Sequence, residues 1–275
     1  MDRFDFDDVE LSYEIGDGGE PVVFVHAAPF VSWYDPLLDQ LPGFTTLTYQ
    51  RLLRKPAEGP YRPLTVAEDA ATCARLMDHV RWSRAHVVGH SYGALVALQM
   101  AIDTPSRVHS VVLLEPATRG ISSSAHVVET LQPVIAAYRA GDVAGAVDGF
   151  LRLVCGDDYR PALAHVVPGA FDEAIAAADQ FFQAEMSAVQ QWSFGPSEAE
   201  RVTQPVLNAV GSDTVPRFVE GAELIQSWFP DAERFSVPGA GHLLMVQNPT
   251  AVGDGLREFF TRHPISAEHT ELGDR

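Results

Sequence analysis

The segment that most constrains this chain is residues 85–102. Ala85-His86-Val87-Val88-Gly89 is an almost continuous apolar run, the mark of a strand buried on both faces. It passes without a linker into His90-Ser91-Tyr92-Gly93, and then into a small-residue-rich helical pattern at 94–102. That pattern stops at the pre-proline position Thr104-Pro105. The glycines two before and two after Ser91 remove side chains where a sharp turn would crowd neighbouring backbone. A turn of this kind lifts the Ser91 hydroxyl above the end of a sheet. The N–H groups of a helix N-terminus then stand behind it.

The rest of the chain repeats the theme. Residues 11–15, 21–26, 44–49 and 108–114 read as strands. Residues 64–80 read as a helix, with Thr65 as N-cap and Glu68 completing a capping box. Strand–helix–strand alternation implies a mostly parallel sheet with right-handed crossovers. From 117 to 201 no strand is predicted, and helices are expected at 122–140, 143–154 and 171–192. Alternation resumes with a strand at 205–210, a helix at 217–228, a strand near 234–237 and a closing helix at 250–260. The expected organisation is an α/β core at 1–116 and 202–265, a helical segment at 117–201, and a frayed polar tail at 266–275.

Charge narrows the partners. Lys plus Arg number 19 and Asp plus Glu 37, a formal net charge of −18. Such a chain repels phosphate backbones and anionic lipid, so nucleic acid and membrane are not expected partners. No apolar run reaches the roughly 18–20 residues of a membrane span. The acidic start Met1-Asp2-Arg3-Phe4-Asp5 lacks a secretory pattern, so a cytoplasmic location is expected. Cys73 and Cys155 have no metal-ligand spacing, and no P-loop, GxGxxG or HExxH motif occurs. No metal or cofactor is expected. A small molecule is the expected partner, and a homodimer is compatible with the sequence.

These features resemble the α/β-hydrolase superfamily over about residues 10–262. The residues that carry the resemblance are His26-Ala27-Ala28-Pro29, Gly89-His90-Ser91-Tyr92-Gly93, Gly211-Ser212-Asp213 and Gly239-Ala240-Gly241-His242. The resemblance implies a mostly parallel central sheet flanked by helices, with a helical cap inserted after the sixth strand. It implies a catalytic triad with Ser91 as nucleophile and His242, last in chain order, as base. The acid should follow the strand at 205–210, where Asp213 is the only carboxylate in the loop. Many relatives carry it three residues after the glycine, a place held here by Thr214. Glu115, at the end of the strand at 108–114, is the alternative. The oxyanion hole would use backbone N–H groups of Tyr92 and Ala28, with Ala27 second to Ala28. This loop departs from the usual His-Gly-x-Pro. Trp33, Phe182, Met186 and Trp192 are candidate walls of the substrate pocket.

A serine at the turn, rather than the aspartate of haloalkane dehalogenases and epoxide hydrolases, points to acyl transfer. The expected activity is that of a cofactor-free serine esterase. Its substrate would be a small to medium, largely apolar carboxylic ester, thioester or lactone. A lyase or C–C bond hydrolase using the same triad is the alternative, as is a non-catalytic ligand receptor of this fold.

Overall fold

In the computed structural model, which describes residues 1–6, 9–27, 31–53 and 59–265, the buried runs assemble into one eight-stranded sheet. The strands are β1 (Asp2–Phe6), β2 (Val9–Ile15), β3 (Glu20–Val25), β4 (Phe44–Leu53), β5 (Ala85–His90), β6 (Val108–Leu114), β7 (Val206–Gly211) and β8 (Glu233–Val237). Their order is β1-β2-β4-β3-β5-β6-β7-β8. The β1/β2 and β2/β4 pairs are antiparallel, and all later pairs are parallel. The sequence did not single out β1. Its residues alternate charge and aromatic on a sheet edge, without the buried run that marks a central strand.

Helices cover both faces. They are α1 (Asp35–Leu38), α2 (Val66–His79), α3 (Tyr92–Asp103), α4 (Ser124–Arg139), α5 (Val143–Cys155), α6 (Tyr159–Val166), α7 (Ala170–Ala176), α8 (Ala178–Gln180), α9 (Met186–Gln191), α10 (Pro196–Ala199), α11 (Pro216–Trp228), α12 (Leu244–Gln247) and α13 (Pro249–Arg262). The capping box at α2 forms as expected: Thr65 Oγ1 accepts from Glu68 N–H at 3.2 Å, and Glu68 Oε2 accepts from Thr65 N–H at 2.9 Å. No helix among the described residues is long and apolar enough to cross a membrane. The tail expected at 266–275 lies outside the described residues.

Between β6 and β7 the regular elements of the described chain are all helical, α4 to α10. The helix expected at 171–192 is divided into α7, α8, a π-helical turn (Phe181–Glu185) and α9. The wider turn matters for attachment. Gln183 Oε1 accepts from Tyr61 N–H at 3.0 Å, and the Ala184 carbonyl accepts from Leu64 N–H at 3.3 Å. The insertion is tied to the β4–α2 connection there. Its apolar side chains divide between two cores. Leu151, Tyr159 and Leu163 join the core built on Phe24, Leu207 and Phe259. Ala184, Ala188 and Ala199 join the one built on Val87, Leu95 and Val111. The insertion thus shares its apolar packing with both faces of the sheet.

Candidate active site

β5 ends at the turn that carries Ser91. The Ser91 backbone has φ 53° and ψ −112°, a conformation L-residues avoid and one that costs about 1–3 kcal/mol. Two glycines make it attainable. A Cβ on Gly89 would lie 2.2 Å from the Gly93 carbonyl oxygen, and one on Gly93 would lie 2.0 Å from that of Val25. The second contact brings the start of α3 against the end of β3. Ser91 is held at both ends of its peptide. Its N–H donates to Leu114 O at 2.9 Å, and its carbonyl accepts from Ala117 N–H at 3.1 Å. Tyr92 begins α3, so its N–H belongs to the first turn, where donors lack helical partners. The Tyr92 side chain turns into the core and donates to Asp69.

β6 and β7 are neighbours, so the chain ends that leave them converge. Glu115 follows β6 directly, with φ 45°. It is completely buried. Its Oε1 accepts from Gly211 N–H at 2.8 Å, and its Oε2 from Thr214 Oγ1 at 3.0 Å. The same Oε2 lies 2.7 Å from His242 Nδ1. Burial pushes the Glu115 carboxyl up to about 7, against the opposing pull of the Gly211 and Thr214 hydrogen bonds.

The carboxylate on His242 is therefore Glu115, which corrects the preference for Asp213. Asp213 is exposed, and its Oδ1 accepts from Ser212 Oγ at 2.8 Å. Its backbone is what contributes, donating to Ala240 O at 2.9 Å. Together with Ser212 N–H on Val237 O at 2.9 Å, that bond fastens the β7 loop to the histidine loop. Thr214, at the position where relatives place an acid, supplies a hydroxyl to the displaced carboxylate.

His242 is buried between rings. Phe218 stacks on it at 3.8 Å between centroids and 8° between planes. The His90 ring lies 4.5 Å away, and His90 Nε2–H donates to the His242 carbonyl at 2.9 Å. Burial holds His242 well below the ordinary histidine value, and the Arg217 charge adds to this. Burial likewise depresses His90. At neutral pH both rings are uncharged. His242 can then keep its proton on Nδ1, facing Glu115, with Nε2 free to act as a base.

The expected pocket residues separate. Trp33 is buried, with its ring 6.0 Å from that of His90, and so belongs to this cluster. Phe182 stacks on Tyr138 of α4 at 4.5 Å, within the insertion. Met186 is half-buried at the start of α9. Trp192 donates from Nε1 to Gln99 Oε1 of α3 at 2.9 Å and stacks on Phe194, so it fastens the insertion to the core. Ala28 lies outside the described residues, whereas Ala27 is buried. Sequence reasoning missed Phe218, Arg217 and the supporting role of Thr214. Phe218 and Arg217 sit in no local motif, and the Thr214 hydroxyl finds Glu115 only once the ends of β6 and β7 meet.

Comparison with known proteins agrees with this architecture. The enol-lactonase of Burkholderia xenovorans superposes with a TM-score of 0.78 at 21% identity, covering 94% of this chain and 100% of that one. A thermophilic esterase from Thermogutta terrifontis superposes with a TM-score of 0.76 at 19% identity, covering 93% and 94%. At those identities the likeness is one of fold. In sequence, the chain is 24% identical to the uncharacterized carboxylesterase nap of Bacillus subtilis, over 87% of this chain and 79% of that protein. It is also 38% identical to the dihydrolipoyllysine-residue acetyltransferase component of the acetoin cleaving system of Cupriavidus necator. That match covers 41% of this chain and 31% of the relative, so the chain spans less than a third of that protein's length. The model of the alpha/beta hydrolase family matches residues 22–254, and the chain is a member of that family.

Proposed function

We propose that the protein is a serine hydrolase that cleaves a carboxylic ester, thioester or lactone through an acyl-enzyme. The observation that carries the reading is the 2.7 Å contact between His242 Nδ1 and Glu115 Oε2, on the strand next to the one that presents Ser91. A serine hydroxyl needs a base, an orienter for that base and donors for an oxyanion. Glu115 fixes the His242 tautomer. His242 Nε2 takes the Ser91 proton as Oγ attacks the acyl carbon. The oxyanion rests on the Tyr92 N–H and on the loop that follows β3, with Ala28 as its donor. The proton returns from Nε2 to the leaving oxygen or sulfur, and the C–O or C–S bond breaks. Water then attacks the acyl-enzyme, giving its proton to His242 and releasing the acid. The helical insertion covers this site as a cap.

4-Nitrophenyl butyrate is the test substrate. Ser91→Ala is expected to lower kcat by about 10⁵–10⁶-fold with the fold intact by circular dichroism. Turnover in that variant within tenfold of wild type would refute the assignment. Fluorophosphonate labelling should modify the peptide that contains Ser91 and no other.

A further inference from the structure

Arg217 takes no part in the proton transfers above, and its surroundings are unusual for a chain this acidic. With 37 carboxylate side chains against 19 Lys and Arg, a cation here has acids to spare. Other arginines take them: Arg107 pairs with Asp78, Arg152 with Asp148 and Arg262 with Glu233. Arg217 is half-buried, its Nε is buried without a hydrogen-bond partner, and no carboxylate among the described residues pairs with it. A desolvated, unpaired guanidinium is costly unless a ligand completes it.

Its position ties it to the reacting centre. Arg217 lies in the first turn of α11, three residues after Thr214, whose hydroxyl holds Glu115. Its guanidinium carbon is 4.9 Å from the centre of the Phe218 ring, the ring that stacks on His242. The residues three and four further on share its helix face. Glu220 accepts from Ser123 N–H at 2.9 Å, and a Cβ on Gly221 would lie 2.8 Å from Thr118 Oγ1. That face of α11 therefore meets residues 118–124, the entry to the insertion. The Glu220 carboxylate is engaged there by a backbone donor. On the same segment the buried hydroxyls of Thr118, Ser123 and Ser124 also lack partners. Arg217 Nε on α11 and three hydroxyls on the segment that α11 meets are thus without hydrogen-bond partners.

We infer that Arg217 binds a carboxylate carried by the substrate, so that the preferred ester, thioester or lactone is anionic. The inference rests on the serine-hydrolase reading for the word substrate, but not for the anion site. The guanidinium fork matches a carboxylate with two parallel N–H···O bonds. The chain's net negative charge disfavours anions at long range, so recognition of a carboxylate falls to local cations such as Arg217. Its neutralisation by the ligand also removes one of the influences that depress His242, so the base strengthens when the correct substrate is in place.

Two near-isosteric esters test this, 4-nitrophenyl hemiglutarate and 4-nitrophenyl valerate. Wild type is expected to favour the hemiglutarate in kcat/KM. Arg217→Met should lower the hemiglutarate-to-valerate ratio by about 10–100-fold, and Arg217→Lys by less, since it keeps charge without the fork. A wild-type preference for valerate, or an unchanged ratio in Arg217→Met, would overturn the inference. A binding measurement needs no turnover. Glutarate should raise the melting temperature of the Ser91→Ala protein and leave that of Ser91→Ala/Arg217→Met unmoved. Equal shifts in both, or a shift with inorganic phosphate but none with glutarate, would also overturn it. If neither ester is cleaved while glutarate binds through Arg217, the hydrolase reading fails and the anion site stands.

Discussion

Two buried histidines sit near opposite ends of the sheet, and each touches a carboxylate. His86, at the start of β5, is within 2.7 Å of Ser110 Oγ at Nδ1 and 3.1 Å of Glu20 Oε2 at Nε2. His242, in the loop after β8, meets Glu115 Oε2 at 2.7 Å through Nδ1. Burial depresses both. What separates them is the second nitrogen and the backbone around it. Both ring nitrogens of His86 are occupied, and it stands within a regular strand. At the His242 end, Glu115, which meets the ring, and Ser91, at the turn after β5, have φ values of 45° and 53°. A buried His–carboxylate contact is thus not by itself a sign of chemistry. One nitrogen left available, amid strained neighbours, is the more telling feature.

The largest expected effect breaks the comparison at its carboxylates. Glu115→Gln should lower kcat on 4-nitrophenyl butyrate by about 10³–10⁴-fold, because the amide can stabilise the wrong tautomer of His242. Asp213→Asn should stay within about twofold, since among the described residues its side chain meets only Ser212. The reverse order of these two variants would return the acid to Asp213.

That contrast also marks what could be read from the chain. The strand–turn–helix at Ser91, the parallel sheet and the helical segment after β6 were legible, because each is written in local pattern: a buried run, flanking glycines, a change of rhythm. The carboxylate that meets His242 was not. β6 and β7 lie side by side, so a carboxylate leaving either strand can reach His242. Which one does depends on the path of the loop after β7. Here the Asp213 N–H is drawn to Ala240 O, its side chain faces solvent, and Thr214 turns inward instead. Phe218 was illegible for the same reason: the ring it stacks on, His242, is far away in sequence.

A smaller effect is expected at the other histidine, in stability rather than rate. His86→Gln leaves the Ser110 hydroxyl and Glu20 with altered partners and should cost about 2 kcal/mol at pH 7.5, with kcat changed less than twofold. The pH dependence has a definite sign. Burial holds His86 down at about 3 in the native state, while the unfolded chain protonates near its ordinary value. The unfolded state therefore binds more protons between those limits. Native stability is full above about pH 6.5 and falls with acidification, by up to about 1.4 kcal/mol per pH unit for this one group. The variant lacks that loss. Denaturant melts of the two proteins should converge on acidification and meet near about pH 5. Parallel curves would show that His86 is not held neutral.

The smallest effect tests how Glu115 is kept ionised. Its three donors are the Gly211 N–H, the Thr214 hydroxyl and the His242 N–H. Burial opposes the Gly211 and Thr214 bonds, and the balance places the carboxyl at about 7. Protonation removes the acceptor that orients His242, so kcat/KM should rise with pH through that value. Thr214→Val deletes one donor without adding volume to the loop. The native carboxyl is then raised further, and the acid limb of the pH profile should move to higher pH. Activity on the alkaline plateau should fall only about twofold to fivefold, because the His242 contact persists. A structural role for Thr214 would lower activity equally at every pH and leave the limb in place, whereas a moved limb assigns the hydroxyl to the charge on Glu115.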